Sequence, residues 1–413
     1  MIAILSNIDT PRLRHALGFL LEGFSFDLFA ENVHIPPGAK VIGYGLESND
    51  ALVHFPCLDF PWWLDERREM INYRNALTAL PAFGEFDLFG YAFYLLARCD
   101  EYLPNAHDAH GRFLSVDCIQ NQWSGLGVAY LEEWRGELLA VLGLTEARQV
   151  QQQLTVDIDS PFAFQYKSPL KQIAGLIRDV MRFKWDWVSR RIQVIWGGDD
   201  PYNTYSWIRN RCSEVQFDLI YFVLCAKRGK WDRGMELDQE SGWRTLFSLL
   251  HDSDWGWHPS VEGHQNESLF CDELERLKSA KGEKIVSARF HYLKQSMPDS
   301  PRKLLAMGIE KDFSMGFPDT VGYRAGTSRP FFWFDWEKGC VTNLVLVPFW
   351  GMDVALKNYM QLNPEQAVVQ IKEARKYIEG CKGDWRMIWH NESVNDWSEW
   401  KGWRKVFEKF LKQ

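Results

Sequence analysis

Two aspartates, Asp157 and Asp159, stand two residues apart in the apolar, strand-like run QLTVDIDSPFAF, residues 153 to 164. Strand side chains alternate, so both acids share one face and Val156 and Ile158 share the other. Carboxylates ~7 Å apart on one face repel unless something cationic lies between them. A divalent metal held by one acid, with the other free as a base, removes that repulsion. Strand-end caps or ordinary ion pairs are the structural alternative.

His258, His291 and His390 each end a predicted strand. Imidazole mixed with carboxylate suits a borderline divalent metal such as Zn2+, and a catalytic zinc site needs three protein ligands and an open position. Asp159, His258 and one further histidine supply that set. Two candidates stand for the third place: His264 in HPSVEGHQN, read as a loop, and His291 in RFHYL. A strand end holds a ligand more rigidly, which favours His291, and alternation puts Arg289 on the same face. His107 and His110, in NAHDAHGRF, read as a solvated loop despite their three-residue spacing.

Strands must hold these groups, and seven are predicted: 153–159, 219–225, 255–260, 284–292, 313–317, 343–349 and 385–390. Helix-like stretches at 201–214, 266–281, 300–308, 353–360 and 364–380 alternate with them, which implies βαβ units and a parallel sheet. About seven units on this scale make a β/α barrel, whose active sites form at the C-terminal strand ends. Asp157, Asp159, His258, Arg289, His291, Asp312 and His390 are read as lying there. Before residue 150 the rhythm differs: a helix at 10–22, short strands in AKVIGYG and ALVHFP, and one long helix over EFDLFGYAFYLLARCDEYL. The expected division is therefore a smaller α/β domain over 1–150 and a barrel over 151–413.

The formal net charge is −8 and no basic stripe runs along the chain, which argues against nucleic acid as a partner. The basic, amphipathic LIRDVMRFKWDWVSRR is read as a surface helix with a solvated face, in preference to one lying on a membrane. No signal peptide and no apolar run of about 20 residues is seen. Eight scattered cysteines without a CxxC pair suit a reducing compartment, so the cytoplasm is expected. The 20 Trp read mainly as core, some lining a groove for sugar rings.

These motifs, in this order, resemble the polysaccharide deacetylases of the NodB-homology group, carbohydrate esterase family four. Longer runs resemble a divergent, mostly bacterial branch that carries an N-terminal domain of unknown function: DDPYNTYSWI, YLLARCDEYLPNAHDAHGRF and ARFHYLKQSMPDSPRKLLAMGIEKDFSMGFPDTVGYRAGTSRPFFWFD. The resemblance implies a distorted (β/α) barrel. TVDID is similar to the motif TFDDG, with Ile158 between the acids, and implies Asp157 as base and Asp159 as metal ligand. HPSVE is similar to the His-Ser/Thr-x-x-His motif at His258, with Glu262 where the second histidine belongs. In RFHYL, Arg289 is implied to orient the base and the Tyr292 N–H to face the oxyanion, while His291 stands where the motif has Pro and replaces the missing ligand. Asp312 in DFSMGF is implied to hold His390 of IWH, the general acid.

The expected activity is metal-dependent removal of acetyl groups from an N- or O-acetylated saccharide. The alternatives are a degenerate barrel serving as a glycan-binding or assembly partner, and a hydrolase of a non-sugar amide. Arg324, in GYRAGTSRPF, is read as binding a charged part of the substrate, with a structural ion pair as the other reading.

Overall fold

The structure, a computed structural model, describes residues 1–31, 33–58, 67–105 and 107–412. Its first sheet has four parallel strands in the order β2-β1-β3-β4: β1 Ile2–Leu5, β2 Phe26–Phe29, β3 Lys40–Tyr44 and β4 Ala51–Phe55. The helix Pro11–Leu20 starts where expected, with Thr10 accepting from the Leu13 N–H and Pro at the first turn.

The second sheet holds nine strands: β5 Gln152–Ile158, β6 Asp218–Val223, β7 Asp254–Trp257, β8 Ser287–Ala288, β9 Lys311–Met315, β10 Phe331–Asp335, β11 Cys340–Pro348, β12 Gly351–Met352 and β13 Trp385–His390. Their order is β10-β11-β9-β8-β7-β6-β5-β13-β12. Every pairing is parallel except β10 with β11.

Only Phe349 and Trp350 separate β11 from β12, yet these strands lie near opposite ends of that order. So short a link spans ~10 Å at most, and the sheet must curl until its ends meet. The seam is visible: the Phe349 N–H donates to the Met315 carbonyl (3.3 Å) and the Trp350 N–H to that of Arg386 (2.9 Å). Residues 340–352 thus act as one bent strand between β9 and β13. Seven parallel strands circle the axis, a distorted barrel, and β10 lies outside it as an antiparallel flap.

The expected strand over 284–292 shortens to Ser287–Ala288, because Tyr292 and Leu293 turn into the left-handed region (φ 59° and 54°). The expected long helix over 85–103 is the helix Leu88–Leu96 followed by a short turn, broken at Arg98 (φ 55°). The basic segment is also two helices, Pro169–Met181 and Trp185–Ile195, interrupted at Phe183 (φ 55°).

One continuous core joins the residues before and after 150: Leu13, Phe93, Leu154, Trp257, Trp333 and Trp385 all belong to it. His15 is part of the seam, edge-on to Phe93 and tilted on Phe334. Burial pushes its imidazole down to about 4. The folded chain therefore keeps His15 neutral while the unfolded chain protonates it, so stability is lost as pH falls from about 6.5 towards 4. We expect His15→Phe to lose less stability than the parent across that window, by up to about 3 kcal/mol in urea titrations. Equal losses in the two chains refute the assignment.

Candidate active site

In a parallel barrel all strand C-termini open at one mouth, and there β5, β7, β8 and β13 deliver the acids and imidazoles. The ladder continues past the named strands. The His258 N–H donates to the Val223 carbonyl, the Arg289 N–H to Trp257 and the His291 N–H to Pro259, each at 3.0 Å. These bonds fix the backbone under each functional side chain. Gly256 lets β7 and β8 approach closely, since a Cβ there would lie 2.4 Å from the Ser287 carbonyl oxygen.

Asp157 and Asp159 share a face as expected, but their surroundings differ. Asp157 is buried, and its Oδ1 accepts from Arg289 Nη1 at 2.7 Å. Arg289 is itself fully buried, donating also to Thr155 Oγ1 (2.7 Å) and the Phe313 carbonyl (2.9 Å) and lying over the Phe222 ring. Three elements thus pin one carboxylate through one guanidinium. Asp159 instead opens onto the cavity and meets His258 Nε2 at 3.2 Å and His291 Nε2 at 3.3 Å. One donor atom from each of Asp159, His258 and His291 lies within 4.8 Å of the others, a possible metal-binding triad. Of the two candidates for its third place, the structure brings in His291. His264 bonds instead to Ser300 Oγ (2.8 Å) and packs edge-on against Phe290.

The triad fits a divalent cation. His258 Nδ1–H donates to the Arg289 carbonyl (2.6 Å), and His291 Nδ1–H donates to Asp232 Oδ1 (2.7 Å). With both Nδ1 atoms protonated, each neutral ring turns a bare Nε2 lone pair towards an anion. Oδ1 of Asp159 is enclosed and accepts no hydrogen bond. Lone pairs facing a carboxylate call for a positive charge between them. Protons are the competing source: burial opposes the charge on His291, yet Asp159 and Asp232 push it up to about 9. Burial likewise opposes the charge on Asp159, but His291, His258 and His390 hold its carboxyl well below the usual range.

His390 lies opposite, its Nε2 3.9 Å from Asp159 Oδ2. Its partner corrects the expectation. Asp353, not Asp312, accepts from His390 Nδ1 (2.8 Å), and the other oxygen of Asp353 accepts from the His390 N–H and the Ser393 hydroxyl. Burial disfavours the imidazolium, but Asp353 and then Asp159 and Asp157 raise His390 well above its ordinary value. Asp312 enters β9 rather than ending it and accepts from the Ser314 N–H (2.9 Å). Burial pushes it up to about 6, with Ser314 and Arg289 pulling the other way.

The mouth is a cavity of about 300 Å³ whose wall includes Asp157, Asp159, His258, His291, Tyr292 and His390. Tyr292 lies there in the left-handed region, a backbone strain that residues at functional sites often carry. Arg112, from the N-terminal region, braces it: the guanidinium donates to the Tyr292 carbonyl and to the Tyr359 hydroxyl (both 3.0 Å), and Asp108 accepts from its Nε. His110 of the same loop stacks on Tyr292. Trp400 also lines the cavity, whereas Trp257, Trp333, Trp385 and Trp389 are fully buried. Glu262, in the place of a motif histidine, instead accepts from the Lys230 N–H (3.2 Å).

Sequence reasoning missed Asp232, Asp353 and Arg112. Arg324 does not reach the cavity, and of its two expected readings the ion pair is the one found: the buried side chain grips both oxygens of Glu101 at 2.9 and 2.7 Å. Its natural partner is 223 residues earlier, beyond the reach of any local pattern. We expect Arg324→Leu to lower stability by about 1–3 kcal/mol, because Glu101 loses one of its two buried cations and keeps Arg98 at 2.8 Å. KM at a permissive temperature should not change; a raised KM with unchanged stability overturns this placement.

Residues 47–145 match a family model described as a family of unknown function, DUF7033. No curated protein matches the chain. Among solved structures, it is similar to a probable polysaccharide deacetylase from Pseudomonas aeruginosa PAO1, with 10% identity, TM-score 0.40, and coverage of 63% of this chain and 83% of that one. It is also similar to PuuE allantoinase, with 10% identity, TM-score 0.40 and the same two coverages.

Proposed function

We propose that the chain is a metal-dependent hydrolase that removes acetyl groups from an N- or O-acetylated saccharide. One observation carries this reading: a guanidinium-held carboxylate, a triad of ligand-type side chains and a carboxylate-held imidazole converge on one cavity. Asp159, His258 and His291 would hold a divalent ion, with Zn2+ favoured by the mixed nitrogen and oxygen donors. Such an ion, when bound, polarises an acyl carbonyl and acidifies water.

The remaining roles belong to the chain. Asp157, oriented by Arg289, takes a proton from the attacking water. Tyr292 lines the cavity, and its backbone N–H would donate to the developing oxyanion. His390, kept protonated by Asp353, gives its Nε2 proton to the departing amine or alcohol as the bond to the acyl carbon breaks. Acetate and the free amine or hydroxyl leave. The N-terminal unit, with its boundary at residue 150 as we propose, contributes Arg112 to the wall. A barrel that only bound glycans would gain nothing from a buried acid held for proton transfer.

The test is acetate release from acetylated chitooligosaccharides and O-acetylated xylan, with metal content measured on the same preparation. Activity that rises with metal occupancy supports the reading. Stoichiometric metal with no acetate from either substrate class refutes the saccharide assignment. Asp353→Asn removes the charge that keeps His390 protonated. We expect it to lower turnover by about a hundredfold or more while metal content is retained. Unchanged turnover removes His390 from the proton relay.

A further inference from the structure

The helices Pro169–Met181 and Trp185–Ile195 form a hairpin that leaves the barrel after β5. Its polarity is inverted relative to a solvated surface helix, which turns its apolar stripe inward. Between the helices, buried Arg191 grips buried Asp179 (2.6 Å) and donates to Gln172 (2.9 Å). Gly175 makes room for that guanidinium, since a Cβ there would lie 2.7 Å from it. The outer face is apolar: Leu170, Ile173, Ile177, Val180, Met181, Phe183, Trp185, Ile192, Ile195 and Trp196 are exposed. These are ten of the 21 exposed large apolar side chains among the described residues, drawn from a segment of fewer than thirty.

Two features show that this surface is built rather than frayed. Asp200 closes the base of the excursion by accepting from the N–H groups of Ala163, Phe164 and Gln165 at 2.7–2.9 Å. Trp187 anchors the hairpin to the body, packing on Phe164 and Trp397 and donating to Ser398 Oγ. At the tip, Phe183 takes a left-handed backbone (φ 55°) and remains 77% exposed. A bulky residue accepts that cost only where surrounding structure imposes it.

We propose that this hairpin docks the chain on an anionic lipid bilayer, lying in the interface with its apolar face in the acyl boundary. Charge selects this occupant. With the buried Arg191–Asp179 pair set aside, residues 169–196 carry five basic side chains and one acidic, in a chain of net charge −8. Arg182 and Lys184 stand exposed beside Met181, Phe183 and Trp185 at the tip. Anionic headgroups attract such cations, and aromatic rings favour the interfacial depth. A second copy seated on the same face would bring these cations against their own equivalents. Among the described residues no helix is long and apolar enough to cross a membrane.

The test is flotation of the full chain with vesicles of phosphatidylcholine, with and without one third phosphatidylglycerol, at low and high salt. We expect flotation on the anionic vesicles that weakens with salt. The triple variant Met181→Ser, Phe183→Ser, Trp196→Ser should bind at least about tenfold more weakly, as should Arg182→Glu with Lys184→Glu. All five side chains are exposed, so an unchanged melting temperature serves as the folding control. Failure to float, or equal flotation of parent and triple variant, overturns the proposal. Equal flotation on neutral vesicles overturns its anionic part, and a parental dimer that the triple variant dissolves assigns the face to a second copy. None of these readouts depends on hydrolysis.

Discussion

His258→Ala should purify with its metal bound at least about a hundredfold more weakly, and its acetate release should fall about 10³-fold or more. The triad offers one atom from each of three residues, so losing one imidazole leaves two donors for an ion that needs three from protein. The metal's charge stabilisation is worth several kcal/mol, and each 1.36 kcal/mol is tenfold in rate. Asp232→Asn is the graded comparison, because Asp232 touches His291 rather than the ion's place. An amide still accepts at His291 Nδ1, so metal affinity should fall only about 10- to 100-fold. Metal content and turnover, measured together by atomic emission and acetate release, check both. If His258→Ala keeps full metal occupancy, the triad is not the metal site.

The order of these two effects follows a division that also governed what the sequence could reveal. His390 ends β13 and His258 follows β7 directly, both strands with apolar patterning, whereas His291 stands three residues beyond the two-residue β8; alternation alone put Asp157 and Asp159 on one face. Their supports were hidden. Asp232 lies in the long connection after β6, and Asp353 follows β12, a strand of two residues that no periodicity marks. Asp312 was given the role of Asp353 because a motif fixes the residue type of a partner, not the register of the strand that carries it. The barrel's closure rests on a two-residue link whose meaning appears only once the pairing order is known. Periodicity likewise revealed an amphipathic segment around residues 176–191, yet a stripe has no direction. Only the buried contact of Arg191 with Asp179 shows that its polar side faces inward.

Asp157→Asn should separate the base from the ligands. The amide keeps the shape and an acceptor for Arg289 but cannot take up a proton, so turnover should fall by about 10²- to 10⁴-fold. Metal content should stay at the parental level, because Asp159 and both triad imidazoles are untouched and Asp157 Oδ2 lies 3.9 Å from His258 Nε2. Stability should fall as well. Arg289 is fully buried, and neutralising its carboxylate leaves a cation among Thr155, the Phe313 carbonyl and the Phe222 ring, a loss of about 3 kcal/mol. Assays therefore belong well below the lowered melting temperature, with the folded fraction measured alongside. Turnover within tenfold of the parent in a folded, metal-loaded variant would remove Asp157 from the base's place. Loss of metal together with turnover would make it a fourth ligand, and the proton would then have to leave by way of His390.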